Sequence, residues 1–272
     1  MAGFMATVVN ASIIGGAAWI GLTQATTKSD IVAASNEIKK CQSDCAVYGR
    51  DFVNYGFETA PGKDKNAYDL WMASFTQMEN TLKELAARSS TGVEEDREIE
   101  KLLQVSAAYR SGFMQMAEAR RRQDQACTDW AGIGAAVTER IGVARNQLDP
   151  LLKAAVAAGD LESHKRWADI ALAFERQVIN PFVQVRVMAN RYVRTAEDSD
   201  FTAYANQMTQ WKESLMAWAD SVANTTELGA AAQSIRKDCD IYSDQGKTYT
   251  QAVQGGKAAN TSAMEAFGAI TE

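Results

Sequence analysis

Apolar residues recur at spacings of three and four along most of the chain, and glycine and proline fall in only a few places. That period matches the helical repeat of about 3.6 residues, so the chain reads as all helix, cut by breaks into six segments. The first runs from the apolar start to about Phe57, where ETAPGKD ends it, and the second covers about Lys65 to Ala87. SSTGVEEDRE then supplies a break followed by acidic residues suited to a helix N-terminus. A very long third helix extends from about Val93 towards Ala158, with a bend expected near Pro150. Gly159 ends it, and Asp160 caps a fourth helix from about Leu161 to Ala196, which contains Pro181. EDSD marks the next turn. A fifth helix covers about Asp200 to Asn224, and a sixth runs from about Glu227 to the end.

The first three segments resemble the last three. At an offset of 133 residues Leu82 falls on Leu215, Leu85 on Trp218 and Tyr109 on Tyr242, and DFV at 51 to 53 faces RYV at 191 to 193. Such matches indicate an internal repeat. With a rise of about 1.5 Å per residue, the alternating helices predict two stacked four-helix bundles. One is membrane-proximal, about 23–120 plus 250–272, and the other membrane-distal, about 121–249. On that ruler Arg186, Asn190, Trp211, Tyr242 and Trp130 fall at similar height in the distal bundle. Tyr48, Arg50, Phe75 and Tyr109 do so in the proximal one.

Composition narrows the function classes. A chain of 272 residues with 46% hydrophobic residues can bury a substantial core. Net charge −6 and a pI near 5.1, with no basic run longer than Arg120-Arg121-Arg122, argue against nucleic acid as a partner. Gly3 to Leu22 carries no charge and is long enough to cross a bilayer as a helix, with Trp19 placed as an interfacial anchor; residues 1–22 are therefore expected to be a transmembrane helix. A signal peptide would need a basic start, which is missing, and a buried core helix is the plainer alternative. Cys41, Cys45, Cys127 and Cys239 give neither a haem nor a zinc pattern, since one histidine, His164, serves the whole chain. Cys41 and Cys45 share a helix face and read as packed thiols.

The chemistry-bearing candidates are few. Arg186 and Asn190 lie one turn apart in VRVMANRYV, on a helix face that suits a small anion held between helices. Arginine offers a planar fork of donors matched to a carboxylate. Asn190 would orient the ligand, Tyr242 would add a hydroxyl, and Trp211 and Trp130 would wall the site. Arg50 and Tyr109 are the corresponding candidates in the first half. The alternative for Arg186 is an outward or acid-paired side chain, and for the aromatics plain core packing. With no HExxH, no phosphate-cradling glycine loop and no cysteine–histidine pair, an enzyme is not expected, and no cofactor is implied.

Six helices in this order of lengths, the leading apolar segment and RVMANRYVRTAEDSDF at 186 to 201 resemble the helical bimodular sensor domain of bacterial chemoreceptors and some sensor kinases. The resemblance covers about 23–272. It implies a periplasmic ligand-binding domain, anchored in the inner membrane by the N-terminal helix and working as a homodimer. Each bundle would hold a small carboxylate, such as an organic acid or acetate, and pass a signal across the membrane. Two departures stand out. Ala46 occupies the place aligned with Arg186 in the first half, so a carboxylate there would depend on Arg50 or Lys39. A complete chemoreceptor also carries a second span and a cytoplasmic signalling region, so the chain reads as a fragment. Competing expectations are a pore-forming or membrane-remodelling helical protein, and a structural spacer.

Overall fold

The computed structural model describes residues 28–88, 93–226 and 228–268. Every regular element among them is helical: α1 (Lys28–Tyr55), α2 (Ala67–Arg88), α3 (Val93–Ala157), α4 (Leu161–Phe174), α5 (Asn180–Thr195), α6 (Asp198–Val222) and α7 (Gly229–Gly268). A π-helical turn, Glu175–Ile179, joins α4 to α5 without interruption, which leaves six helices among the described residues. The segment 1–22, expected to cross a membrane, lies outside the described residues. Among the described helices none is long and apolar enough to do so.

The breaks have local causes. Gly56 takes φ 61°, a left-handed conformation that ends α1, and donates its N–H to Phe52 O at 2.7 Å. Asn66 Oδ1 accepts the N–H of Asp69 at 2.9 Å, which sets the start of α2 two residues later than its sequence pattern predicts. At the end of α3, Gly159 at φ 65° donates to Val156 O and Asp160 donates to Ala155 O, both at 3.1 Å. This paired reversal satisfies two carbonyls that a helix end leaves over. Asp160 Oδ1 then accepts the N–H of Ser163 at 3.0 Å and opens α4. Between α5 and α6 the turn is fixed by Asp200, which takes Arg191 Nε at 2.7 Å and Thr195 Oγ1 at 2.6 Å.

Pro150 sits inside α3, which stays one helix from Val93 to Ala157. Pro181 has a larger consequence. It has no N–H to give to the carbonyl of Gln177 four residues earlier, and the backbone just before it widens into the π turn, where Asn180 N–H reaches Glu175 O. Ser214 Oγ of α6 donates to the freed Gln177 carbonyl at 2.7 Å. A lost bond within the helix thus becomes a link from the π turn to α6.

The chain divides into two compact units. The first runs to Arg121 and includes the chain again from Gly255, and the second is Arg122–Gln254. The first unit's core is formed by Ile38, Cys41, Cys45 and Phe52 of α1, Trp71, Phe75, Met78 and Leu82 of α2, and Phe113 and Ala117 of α3. The second unit's core draws on α3 from Ala126 to Leu148, on α4 to α5, on α6, and on α7 as far as Val253. Spacings of three and four within each helix turn these apolar residues to one side, and their removal from water is the main favourable contribution.

Candidate functional site

In the first unit Trp71 is wholly buried and stacks on Phe113 at 3.8 Å and on Phe75 at 4.9 Å, with Tyr109 edge-on at 5.2 Å. Its Nε1 donates to Tyr109 Oη at 3.3 Å, and Cys45 Sγ approaches its carbonyl at 3.9 Å. Burial raises the Tyr109 hydroxyl well above its ordinary pKa, Cys45 adds to this, and the Trp71 hydrogen bond opposes it. Burial likewise pushes the Cys45 thiol up to about 12, so it stays protonated and unreactive at neutral pH. No disulfide joins the four cysteines. Arg50 is exposed, away from this aromatic core. Tyr109 therefore serves as the partner of Trp71, and the structure does not bring Arg50 to it.

The second unit is built differently. On α3 Gly134 presents bare backbone, and a Cβ there would stand 2.6 Å from Arg186 Nη1, 3.1 Å from Arg186 Cζ and 3.0 Å from Tyr242 Cε2. The guanidinium of α5 and the phenol ring of α7 thus meet on α3 only because that position has no side chain. One turn further along α7, a Cβ on Gly246 would run into Tyr204 Oη of α6 and stand 3.0 Å from Trp130 Cζ2. Trp130 links the two places: its ring lies 5.5 Å from Tyr242 and 5.0 Å from Tyr204, with Tyr249 stacked at 5.6 Å. Four helices therefore converge on one cluster of polar aromatic edges.

Some buried polar atoms of the second unit lack a hydrogen-bond partner, both within this cluster and in the core beside it. Trp130 Nε1 and Tyr204 Oη are buried without a hydrogen-bond partner, as are Trp211 Nε1 and Trp218 Nε1. The Trp130 indole N–H is directed at Tyr204 Oη and opposes the rise that burial gives its pKa, without reaching full hydrogen-bond geometry. A buried polar atom left unpaired costs about 1–3 kcal/mol, so such groups ordinarily mark a place that water or a ligand completes. Arg186 is half-buried, and no described hydrogen bond or ion pair engages its guanidinium. By contrast Arg140 pairs with Asp238, Arg191 with Asp200, and Lys212 with Asp240 at 2.5 Å. Burial raises the Tyr242 hydroxyl, and the positive charge of Arg186 opposes that rise, so the two groups act on one another.

The remaining candidates fall as follows. Trp211 is wholly buried against Phe182 at 4.7 Å, and Phe182 meets Tyr242 edge-on at 5.8 Å, so it stands one ring behind the cluster. Asn190 is exposed, one turn from Arg186 but turned to solvent. Arg186, Tyr242 and Trp130 are brought together; Asn190 is not. Gly134, Tyr204 and Gly246 belong to the cluster and were not singled out from the sequence. A glycine within a helix costs about 1 kcal/mol relative to alanine, and that unexplained cost was the available signal. Among the described residues no three His, Cys, Asp or Glu side chains gather as a metal site requires. No protein-family model matches the chain, and no curated protein matches it.

Proposed function

We propose that this chain is the extracytoplasmic sensor domain of a chemoreceptor and binds a small carboxylate within its second unit. In this reading the two units are stacked four-helix bundles, an N-terminal helix anchors them in the inner membrane, and the working form is a homodimer in the periplasm. The observation that carries the proposal is the Arg186 guanidinium, unpaired and seated on Gly134 beside Tyr242. A partly enclosed arginine without a counterion has lost some hydration without compensation, and a carboxylate supplies two charge-assisted bonds in the geometry of its fork. Trp130 Nε1 and Tyr204 Oη, which face one another without a full hydrogen bond, support a polar ligand further into the cluster.

Signalling requires that the ligand bind two arrangements of the helices unequally. Arg186, Tyr204 and Tyr242 sit on three different helices, so a ligand touching all three would favour one arrangement of α5, α6 and α7 over another. The test is a thermal-shift screen of the full chain against small carboxylates. A compound that binds only the folded state raises the melting temperature, by an amount that grows with its concentration over Kd. A shift with at least one carboxylate is expected; no shift across a broad panel would sink the sensor reading in favour of a structural spacer.

A further inference from the structure

We infer that the ligand is a monocarboxylate carrying one uncharged hydrogen-bond acceptor about one helical turn (~5.4 Å) from its carboxylate. This rests on the reading of Arg186 as the carboxylate site and adds what the rest of the ligand must be. The spacing comes from the helices themselves. Trp130 and Gly134 are one turn apart on α3, and Tyr242 and Gly246 are one turn apart on α7. Arg186 meets the Gly134 and Tyr242 level, while Tyr204 Oη and the Trp130 edge meet the Gly246 level. A group held by Arg186 and a group held by Trp130 and Tyr204 are therefore separated by two to three carbons.

The chemistry of the second level sets the second group. An indole N–H only donates, so it calls for an acceptor and gives an ammonium nothing to bond. Tyr204 keeps its proton at neutral pH, because burial raises its hydroxyl far above the ordinary value, and it can donate as well. Among the groups that act on Tyr204 are Tyr242, Cys239 and Asp244, and the exposed Asp244 carboxylate is held by Lys247 at 2.9 Å. Lys212 of α6 is already held by Asp240. A second carboxylate would give up its hydration for two neutral donors, whereas a keto, amide or hydroxyl oxygen meets the same donors without burying a charge.

Three ligands of nearly the same size isolate this requirement. Pentanoate has the carboxylate alone, 4-oxopentanoate adds a neutral oxygen, and succinate replaces the methyl ketone end with a second carboxylate. Calorimetric titration of the full chain should give 4-oxopentanoate about tenfold tighter than pentanoate, with succinate the weakest. Trp130→Phe and Tyr204→Phe should each shrink the ratio of 4-oxopentanoate to pentanoate affinity to about twofold. Tyr204→Phe keeps the ring and so decides the matter if Trp130→Phe does not fold. Equal affinity for pentanoate and 4-oxopentanoate, or tightest binding of succinate, each abolished by Arg186→Ala, would overturn the neutral-acceptor inference while keeping the carboxylate site. No heat from any of the three would overturn both.

Discussion

The two units solve the same packing problem with opposite outcomes for their polar atoms. In the first, Trp71 stacks between Phe75 and Phe113 and gives its N–H to Tyr109, while Arg50 stays exposed. In the second, the buried N–H groups of Trp130, Trp211 and Trp218 and the hydroxyl of Tyr204 have no partner, and Arg186 sits unpaired on a bare glycine. Aromatic residues at helical spacing look alike in a sequence whether they close a core or line a site. Trp71 differs from Trp130 in that its N–H has a partner, and Trp130 differs from the equally unpartnered core indoles Trp211 and Trp218 in standing against Tyr242 and Tyr204.

The largest expected effect lies on the closed side. Trp71→Ala removes a wholly buried indole from a stacked core and should destabilise the first unit by about 3–5 kcal/mol, read by urea denaturation. A milder and more telling contrast uses the glycines. Gly49 of α1 has Trp71 as its nearest neighbour, at 4.0 Å, so Gly49→Ala adds a methyl at ordinary contact distance. It should stabilise by about 0.5–1 kcal/mol through helix propensity. Gly246→Ala meets Tyr204 and Trp130 and should instead destabilise by about 1–3 kcal/mol. If both glycines respond alike, the close approach of the polar edges in the second unit is not as described.

The smallest effect concerns pH. The hydroxyl and backbone N–H of Ser163 hold the Asp160 carboxyl below the usual aspartate range. Its folded pKa is depressed, so the stability it gives is present above the unfolded value, about pH 4, and is lost as pH falls through the folded one. Asn also caps a helix but does not titrate, so Asp160→Asn should flatten the acid limb of the melting temperature against pH and leave the neutral value nearly unchanged.

The helices were legible because their breaks are local. Left-handed Gly56, Gly159 and Ala196 lie at or beside the breaks read from the sequence, and Asn66 and Asp160 cap the helices that follow two of them. The π turn was not legible. Pro181 predicts a lost bond to Gln177, but that Ser214 of a later helix takes up the carbonyl is a tertiary fact. At the candidate site, counting rise per residue put Arg186, Tyr242 and Trp130 at one height, and the structure joins Arg186 to Tyr242 on Gly134 and sets the Trp130 ring against Tyr242. It also gave Asn190 the same face as Arg186, although a helical turn is not an exact period and Asn190 comes out exposed. Tyr204 escaped notice because nothing in its own helix marks it; its role depends on the missing side chain of Gly246 across the unit.

In the proposed function, carboxylate binding belongs to Arg186 in the second unit and not to Arg50 in the first. Its most direct test is the Kd of one carboxylate for the full chain, for Arg186→Ala and for Arg50→Ala, measured by calorimetry. A loss of about 10- to 100-fold is expected with Arg186→Ala, the range of a charge-assisted hydrogen-bonded pair, and no change with Arg50→Ala. Unchanged binding by Arg186→Ala, with loss in Arg50→Ala, would contradict it.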